Sequence, residues 1–426
     1  MLKKFTIFLK RPTSIHILIN TFGNYLNTAF TAIFALVLVR VMTPEQYGIL
    51  GVLLGISYVL ANVFDFGTTA TIYSYLPSML EKRTTNLYNF IKTLFAYQTL
   101  FAGSSVVILL FSFSWLDTYF FKTGADQLTV YLVFLGVIFF IWQNFVSNIL
   151  LAGRRFFRVS LYVNISNVVK LLILVLLAYT GNISPAWIIF NFSIVGSIAF
   201  FIPLFIDSRS ELQSVLSSRL DRSELKFGYT FTYFASTQLY NLAQRMDLFL
   251  LSFFGLKADL GFYALAQKII LTIITFIISV TQVLSPLFSK AQTKRDVQKL
   301  LKPGLFYLSV PALCFIVIFF IPESLFRFLF TEKFVRASQI AKGLSFPFVI
   351  FTYSNFLLLF MLYTVKKPAY ILGSNIVYFL GMTAGCLYLI PQLGIMAPAW
   401  VIAGSVTAST IVLGFFSYYE YQKLSD

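Results

Sequence analysis

Five charged residues fall deep inside apolar runs: Asp65, Lys170, Arg245, Asp247 and Lys268. A charge in hydrocarbon is costly, so such residues face protein or a water-filled cavity and mark paths for ions or substrates. Lys170, Arg245 and Lys268 suit an anion. A diphosphate is a strong candidate, because it takes both charge and forked hydrogen bonds from Lys and Arg. Lys170 follows Asn164 and Asn167 at three-residue spacing, which places all three on nearly one helix face. Gln238 and Asn241 precede Arg245 in the same way, and Lys268 is followed by Thr272, Thr275 and Ser279. The first apolar run carries Asn20, Asn24, Asn27 and Thr31. These stripes suggest a shared hydrated lumen, or else polar bonds that simply tie helices together. Asp65 and Asp247 are candidates to carry a coupling proton or sodium ion, with a structural ion pair as the alternative. Asp247 and Arg245 are two residues apart and point to different sides of their helix, so Lys268 is the alternative partner for Asp247. Lys342 lies near the end of a run and can snorkel to the interface.

Other chemistry is poorly supplied. His16 is the only histidine, at the start of the first run, which argues against a nucleophile–histidine arrangement. Cys314 and Cys386 both lie inside apolar runs and suggest neither a disulfide framework nor a metal site. There is no glycine-rich phosphate loop ending in Lys-Ser/Thr. The acids Glu45, Asp117, Asp126, Asp259, Glu323 and Glu332 are scattered over short loops, as helix-end charges are. No enzyme, cofactor or metal is expected.

The elements that must position these residues are membrane helices. Of the 426 residues 58% are hydrophobic and 11% charged, with a mean hydropathy of +0.82, whereas soluble domains are about a quarter charged. Runs of 18 or more apolar residues recur, each long enough to cross about 30 Å of hydrocarbon. The spans read as 15–40, 46–76, 91–114, 127–151, 159–180, 185–206, 227–254, 261–288, 303–322, 339–363, 369–390 and 394–418. With the N-terminus in the cytoplasm, most of the 32 Lys and Arg fall on the cytoplasmic side. The net charge of +16 is thereby assigned to short loops rather than to nucleic-acid binding. Residues 1–11 alternate basic and apolar side chains, as an interfacial helix does. The first span lacks a cleavage site and reads as a retained helix.

The chain also repeats itself. Gly181-Asn182-Ile183-Ser184-Pro185-Ala186-Trp187 returns as Gly394-Ile395-Met396-Ala397-Pro398-Ala399-Trp400, half of the 426-residue chain later. Gly48 matches Gly261, and Arg154-Arg155 nearly matches Lys366-Lys367. Six spans per half make these parallel repeats, of the kind that flank a central path in transporters. The expected organisation is an all-α polytopic membrane protein: a six-helix bundle over 1–206, a cytoplasmic linker over 207–226 that serves as a hinge, and a second six-helix bundle over 227–426. Lys170 and Arg245 have uncharged repeat partners, Thr383 and Ala32. The copies therefore share a scaffold and differ in membrane chemistry.

Several motifs resemble those of a known family. Leu38-Val39-Arg40-Val41-Met42-Thr43-Pro44-Glu45-Gln46-Tyr47-Gly48 is similar to the first outer loop of bacterial polysaccharide-export flippases. Phe64-Asp65-Phe66-Gly67 resembles their Asp-x-Gly element, and Arg245-Met246-Asp247 with Gly255 and Gly261-Phe262-Tyr263-Ala264-Leu265-Ala266 resembles their seventh–eighth span signature. Gly394 to Trp400 resembles the opening of their last span. Leu248 departs from the pattern, where a basic residue is common. The family is the oligosaccharide-flippase branch of the multidrug/oligosaccharidyl-lipid/polysaccharide exporter superfamily. The resemblance implies two bundles in a V around a cavity in the bacterial cytoplasmic membrane, both termini cytoplasmic. It also implies movement of an undecaprenyl-diphosphate-linked oligosaccharide by alternating access.

On this reading Lys170, Arg245 and Lys268 attract the diphosphate, and Asn24, Asn164, Asn167 and Asn241 meet sugar. The expected partners are the bilayer, H+ or Na+, and glycan-assembly proteins, with the chain acting as a monomer. The alternatives are an ion-coupled exporter of drugs or small molecules and, further off, a membrane enzyme of glycan assembly.

Overall fold

The computed structural model describes residues 12–82, 86–222 and 227–425. The expected interfacial helix at 1–11 and linker residues 223–226 lie outside these residues, as do the side chains of His16, Asn20 and Ser279. Among the described residues the chain is helical without strands. The helices are α1 (Pro12–Val41), α2 (Pro44–Asp65), α3 (Thr68–Glu81), α4 (Leu87–Leu116), α5 (Gln127–Ala152), α6 (Phe156–Thr180), α7 (Pro185–Ile189), α8 (Gly196–Asp207), α9 (Arg209–Ser217), α10 (Phe227–Phe253), α11 (Lys257–Lys290), α12 (Lys294–Phe320), α13 (Glu323–Phe330), α14 (Arg336–Leu359), α15 (Pro368–Leu393) and α16 (Ala397–Gln422). A wider π turn, Phe190–Val195, joins α7 to α8 within the sixth expected span. Others extend α4 and α14, at Asp117–Phe121 and Phe360–Val365. Among the described residues ten stretches are long and apolar enough to cross a membrane. One of them, Ala369–Gln422, holds both α15 and α16. The short amphipathic α13 was expected as loop.

Contacts sort the chain into two compact units. The first comprises the chain up to Val41, Ile56–Leu116 and Gly124–Phe234; the second comprises Met42–Gly55, Asp117–Thr123 and Ala235–Asp426. Within the first, Tyr162, Phe200 and Leu204 are among the buried core of α6 and α8. Within the second, Phe288, Leu308, Phe356 and Met361 form a comparable core.

The repeat is visible in backbone geometry. Gly181 and Gly394 both take positive φ, +71° and +57°, which lets the chain leave one helix and start the next without a side-chain clash. A proline then sits in the first turn of the following helix, Pro185 or Pro398. Arg154 and Lys366 both adopt φ +59°. The basic residue after each is bound by an acid: Arg155 to Glu211 at 2.6 Å and Lys367 to Glu420 at 2.8 Å. The Glu211 hydrogen bond holds the Arg155 guanidinium above its usual range. Gly48 and Gly261, the other matched pair, touch. A Cβ on Gly48 would stand 2.7 Å from the Gly261 nitrogen, and one on Gly261 would stand 1.8 Å from the Pro44 carbonyl oxygen.

Two further features differ from the sequence reading. The second span is broken at Phe66 and Gly67, both at positive φ (46° and 78°). The break arises because the Asp65 carboxylate accepts the Thr69 N–H and both the Thr68 and Thr69 hydroxyls, capping the restart of the helix. The linker is also held down as far as Asp221. Lys92 donates to the Leu216 and Ser218 carbonyls at 2.6 and 2.7 Å. Arg158 pairs with Asp207 at 3.0 Å, and the N–H groups of Arg219 and Asp221 donate to Asn89 and Thr93. A free hinge cannot include α9.

Candidate functional site

In the second unit the site grows from α10 and α11. Gln267 follows Tyr263 by one helical turn, so both side chains leave α11 on the face that meets Asp247. Asp247 is 2% exposed. The Tyr263 hydroxyl donates to its Oδ2, the Gln267 amide donates to both oxygens at 3.1 and 3.0 Å, and the Leu248 N–H donates at 2.7 Å. The other end of the Gln267 amide accepts from Arg245 at 3.0 Å. One neutral side chain therefore connects the two charges. Gln244, Asp247, Tyr263, Gln267 and Tyr378 border a cavity of about 20 Å³, room for one water-sized species.

Lys268 is not the partner of Asp247. It is the residue after Gln267, turned about 100° around the helix, and its side chain is exposed. No ion pair holds Lys268 among the described residues. Thr272 and Thr275 bond back to their own helix, to the carbonyls of Lys268 and Thr272. Asn241 is half-buried.

In the first unit, Lys170 lies across Gly196, where a Cβ would fall 1.9 Å from its Cε. The π turn brings Asn191 to the Lys170 carbonyl at 2.9 Å. The Asn191 side-chain Oδ1 is buried with no hydrogen-bond partner among the described residues. Lys170 has no ion-pair partner among the described residues. Asn167 is buried and donates to Asn27 at 2.8 Å, joining α6 to α1. Asn164 bonds the Ser160 carbonyl one turn back at 2.7 Å, while Asn24 is exposed.

Asp65 is the hub of a second polar node. Gln98 donates to it at 3.3 Å, and Thr69 accepts from Asn148 at 2.8 Å, which in turn accepts from Tyr73. Among the described residues Asp65 has no cation partner. Sequence reasoning missed Gln98, Asn148, Asn191 and Gln267, and met Tyr263 only as part of a motif. The signal for Gln267 was present, since it stands next to the motif Gly261–Ala266 and one turn from Tyr263.

Residues 16–292 match the family described as polysaccharide biosynthesis protein. Among curated proteins none matches the sequence. Solved structures match in fold. The lipid II flippase MurJ, in an inward closed conformation, aligns with a TM-score of 0.73 at 16% identity over 94% of this chain and 87% of its own. An inward-facing multidrug resistance transporter of the MATE family, in the MOP superfamily, aligns with 0.73 at 14% identity over 95% of each chain. A MOP superfamily transporter from Pyrococcus furiosus, reported to have a binding pocket of reverse polarity that suggests a different function, aligns with 0.61 at 13% identity over 96% and 94%. These likenesses establish an all-α polytopic fold of twelve membrane-spanning helices, the fold these structures share.

Proposed function

The chain belongs to the polysaccharide biosynthesis protein family, and on that premise we propose that it flips an undecaprenyl-diphosphate-linked oligosaccharide across the bacterial cytoplasmic membrane. The observation that carries the reading is the membrane cations without acids. Lys170 in one unit and Lys268 in the other have no ion-pair partner among the described residues. Cations so placed are stabilised by hydration or by an anion, and a diphosphate supplies two phosphates for several donors.

Asn24, Asn164, Asn167 and Asn241 are the proposed sugar contacts, and the prenyl tail stays in lipid. Alternating access moves the head group, with both termini cytoplasmic and the chain acting as a monomer beside glycan-assembly proteins. Asp247, buried beside a water-sized cavity with neutral donors on its oxygens, is the favoured carrier of a coupling H+ or Na+. Asp65 is the second candidate.

Export of small organic cations is the runner-up, since a multidrug transporter shares the fold equally well. The excess of membrane cations argues against it. The test is complementation of a deletion strain with Arg245→Ala, Lys268→Ala and Lys170→Ala while surface glycan is measured. Loss of glycan at normal protein level supports the reading. Full export by all three would overturn it, and drug resistance without glycan export would favour the runner-up.

A further inference from the structure

A basic-to-apolar stripe runs the full length of α12. Arg295, Lys299 and Lys302 are exposed near its N-terminus. Below them Phe306, Leu313 and Phe320 are 70%, 57% and 74% exposed. At 3.6 residues per turn all six fall within about 60° of arc. The opposite face is buried, with Leu308, Ala312 and Phe315 at no more than 1%.

The spacing matches a bilayer. From Lys302 to Phe320 the helix rises about 27 Å, close to the roughly 30 Å thickness of the hydrocarbon core. The three cations then stand at headgroup level, directly above a lipid-facing apolar surface. They have no salt bridge among the described residues, while Arg155, Arg158 and Lys367 are each held by a carboxylate. Asp296 is the one acid between residues 290 and 302, which leaves the stripe net basic.

We propose that this end of α12 binds an anionic phospholipid: the headgroup phosphate takes Arg295, Lys299 and Lys302, and the acyl chains lie along Phe306 and Leu313. The site is distinct from the membrane cations assigned to the transported lipid. Each basic residue near an anionic surface strengthens attraction by about 1 kcal/mol, so three together favour anionic over zwitterionic lipid on the order of a hundred-fold.

The test places the photo-crosslinker p-benzoylphenylalanine at position 306 of the full-length protein. The protein is reconstituted in nanodiscs of equal phosphatidylglycerol and phosphatidylcholine, and crosslinked lipids are identified by mass spectrometry. A strong excess of phosphatidylglycerol adducts is expected. It should fall toward equality in Arg295→Gln/Lys299→Gln/Lys302→Gln and persist in Arg295→Lys/Lys299→Arg/Lys302→Arg. Equal adducts in the parent, or an excess untouched by the triple Gln change, would overturn the proposal. Gel filtration identifies a misfolded variant, and the charge-conserving variant is then compared with the parent at 0.1 and 1 M salt. Adducts that keep their phosphatidylglycerol excess at 1 M salt would also overturn it.

Discussion

Gly261→Ala puts the glycine seam to a quantitative test. The added Cβ would lie 1.8 Å from the Pro44 oxygen, 2.6 Å from its carbonyl carbon and 3.0 Å from its Cα. Carbon and carbonyl oxygen approach to about 3.3 Å in close helix contacts, so the two backbones must part by about 1.5 Å. Overpacking costs about 1–3 kcal/mol. The upper end applies here because the obstacle is backbone and cannot rotate away. About 3 kcal/mol is roughly a hundred-fold in the ratio of folded to unfolded protein.

Gly48→Ala meets the Gly261 nitrogen at 2.7 Å, a lesser clash. The double variant should lose less than the sum of the singles, because both open the same seam. Gly404→Ala is the control. Nothing lies within 4 Å of its added Cβ, and a helical Gly→Ala change stabilises by about 0.5–1 kcal/mol. The assay heats detergent-solubilised protein and follows the monodisperse peak by size exclusion. Gly261→Ala melting with or above the parent would refute the packing argument.

Three further outcomes follow from the site and its supports. Gln267→Leu removes donors from buried Asp247 and an acceptor from Arg245; a stability loss of about 2–4 kcal/mol and loss of glycan export are expected. Unchanged melting in that variant would mean that the amide does not bridge the two charges. Gly196→Ala meets the flexible Lys170 side chain at 1.9 Å, so it should shift the ammonium and reduce export while protein level and melting stay near parental. Wild-type export in Gly196→Ala would show that the lysine position is not demanding. Lys92→Ala frees the Leu216 and Ser218 carbonyls, and limited proteolysis should then cut faster between residues 209 and 222, with the cut rate in the parent as reference; equal rates would mean that Lys92 does not fasten the linker.

The spans were legible in the sequence because bilayer thickness imposes one coarse rule on every helix. The repeat was legible because positive-φ glycines and first-turn prolines at helix junctions tolerate few replacements. The break after Asp65 was not, since apolar residues flank it on both sides and the cap depends on short-range bonds from Thr68 and Thr69. The fastening of the linker was hidden for a different reason. Ser218, Arg219 and Asp221 are held by Lys92, Asn89 and Thr93, more than a hundred residues away, and hydropathy holds no record of them. In the site, sequence spacing placed Lys268 near Asp247, but a one-residue rotation gives that role to Gln267. The bond from Asn167 to Asn27 joins residues 140 apart in the chain, which spacing along one helix does not reveal.

The most direct measurement of the central claim is translocation in proteoliposomes. A polyprenyl-diphosphate glycan is introduced on one face, and its arrival on the other is followed by capture with a sugar-binding lectin. The account predicts protein-dependent translocation that falls when Lys170, Arg245 and Lys268 are each replaced by Ala. Translocation no faster than in protein-free vesicles, or unchanged in all three variants, would contradict it.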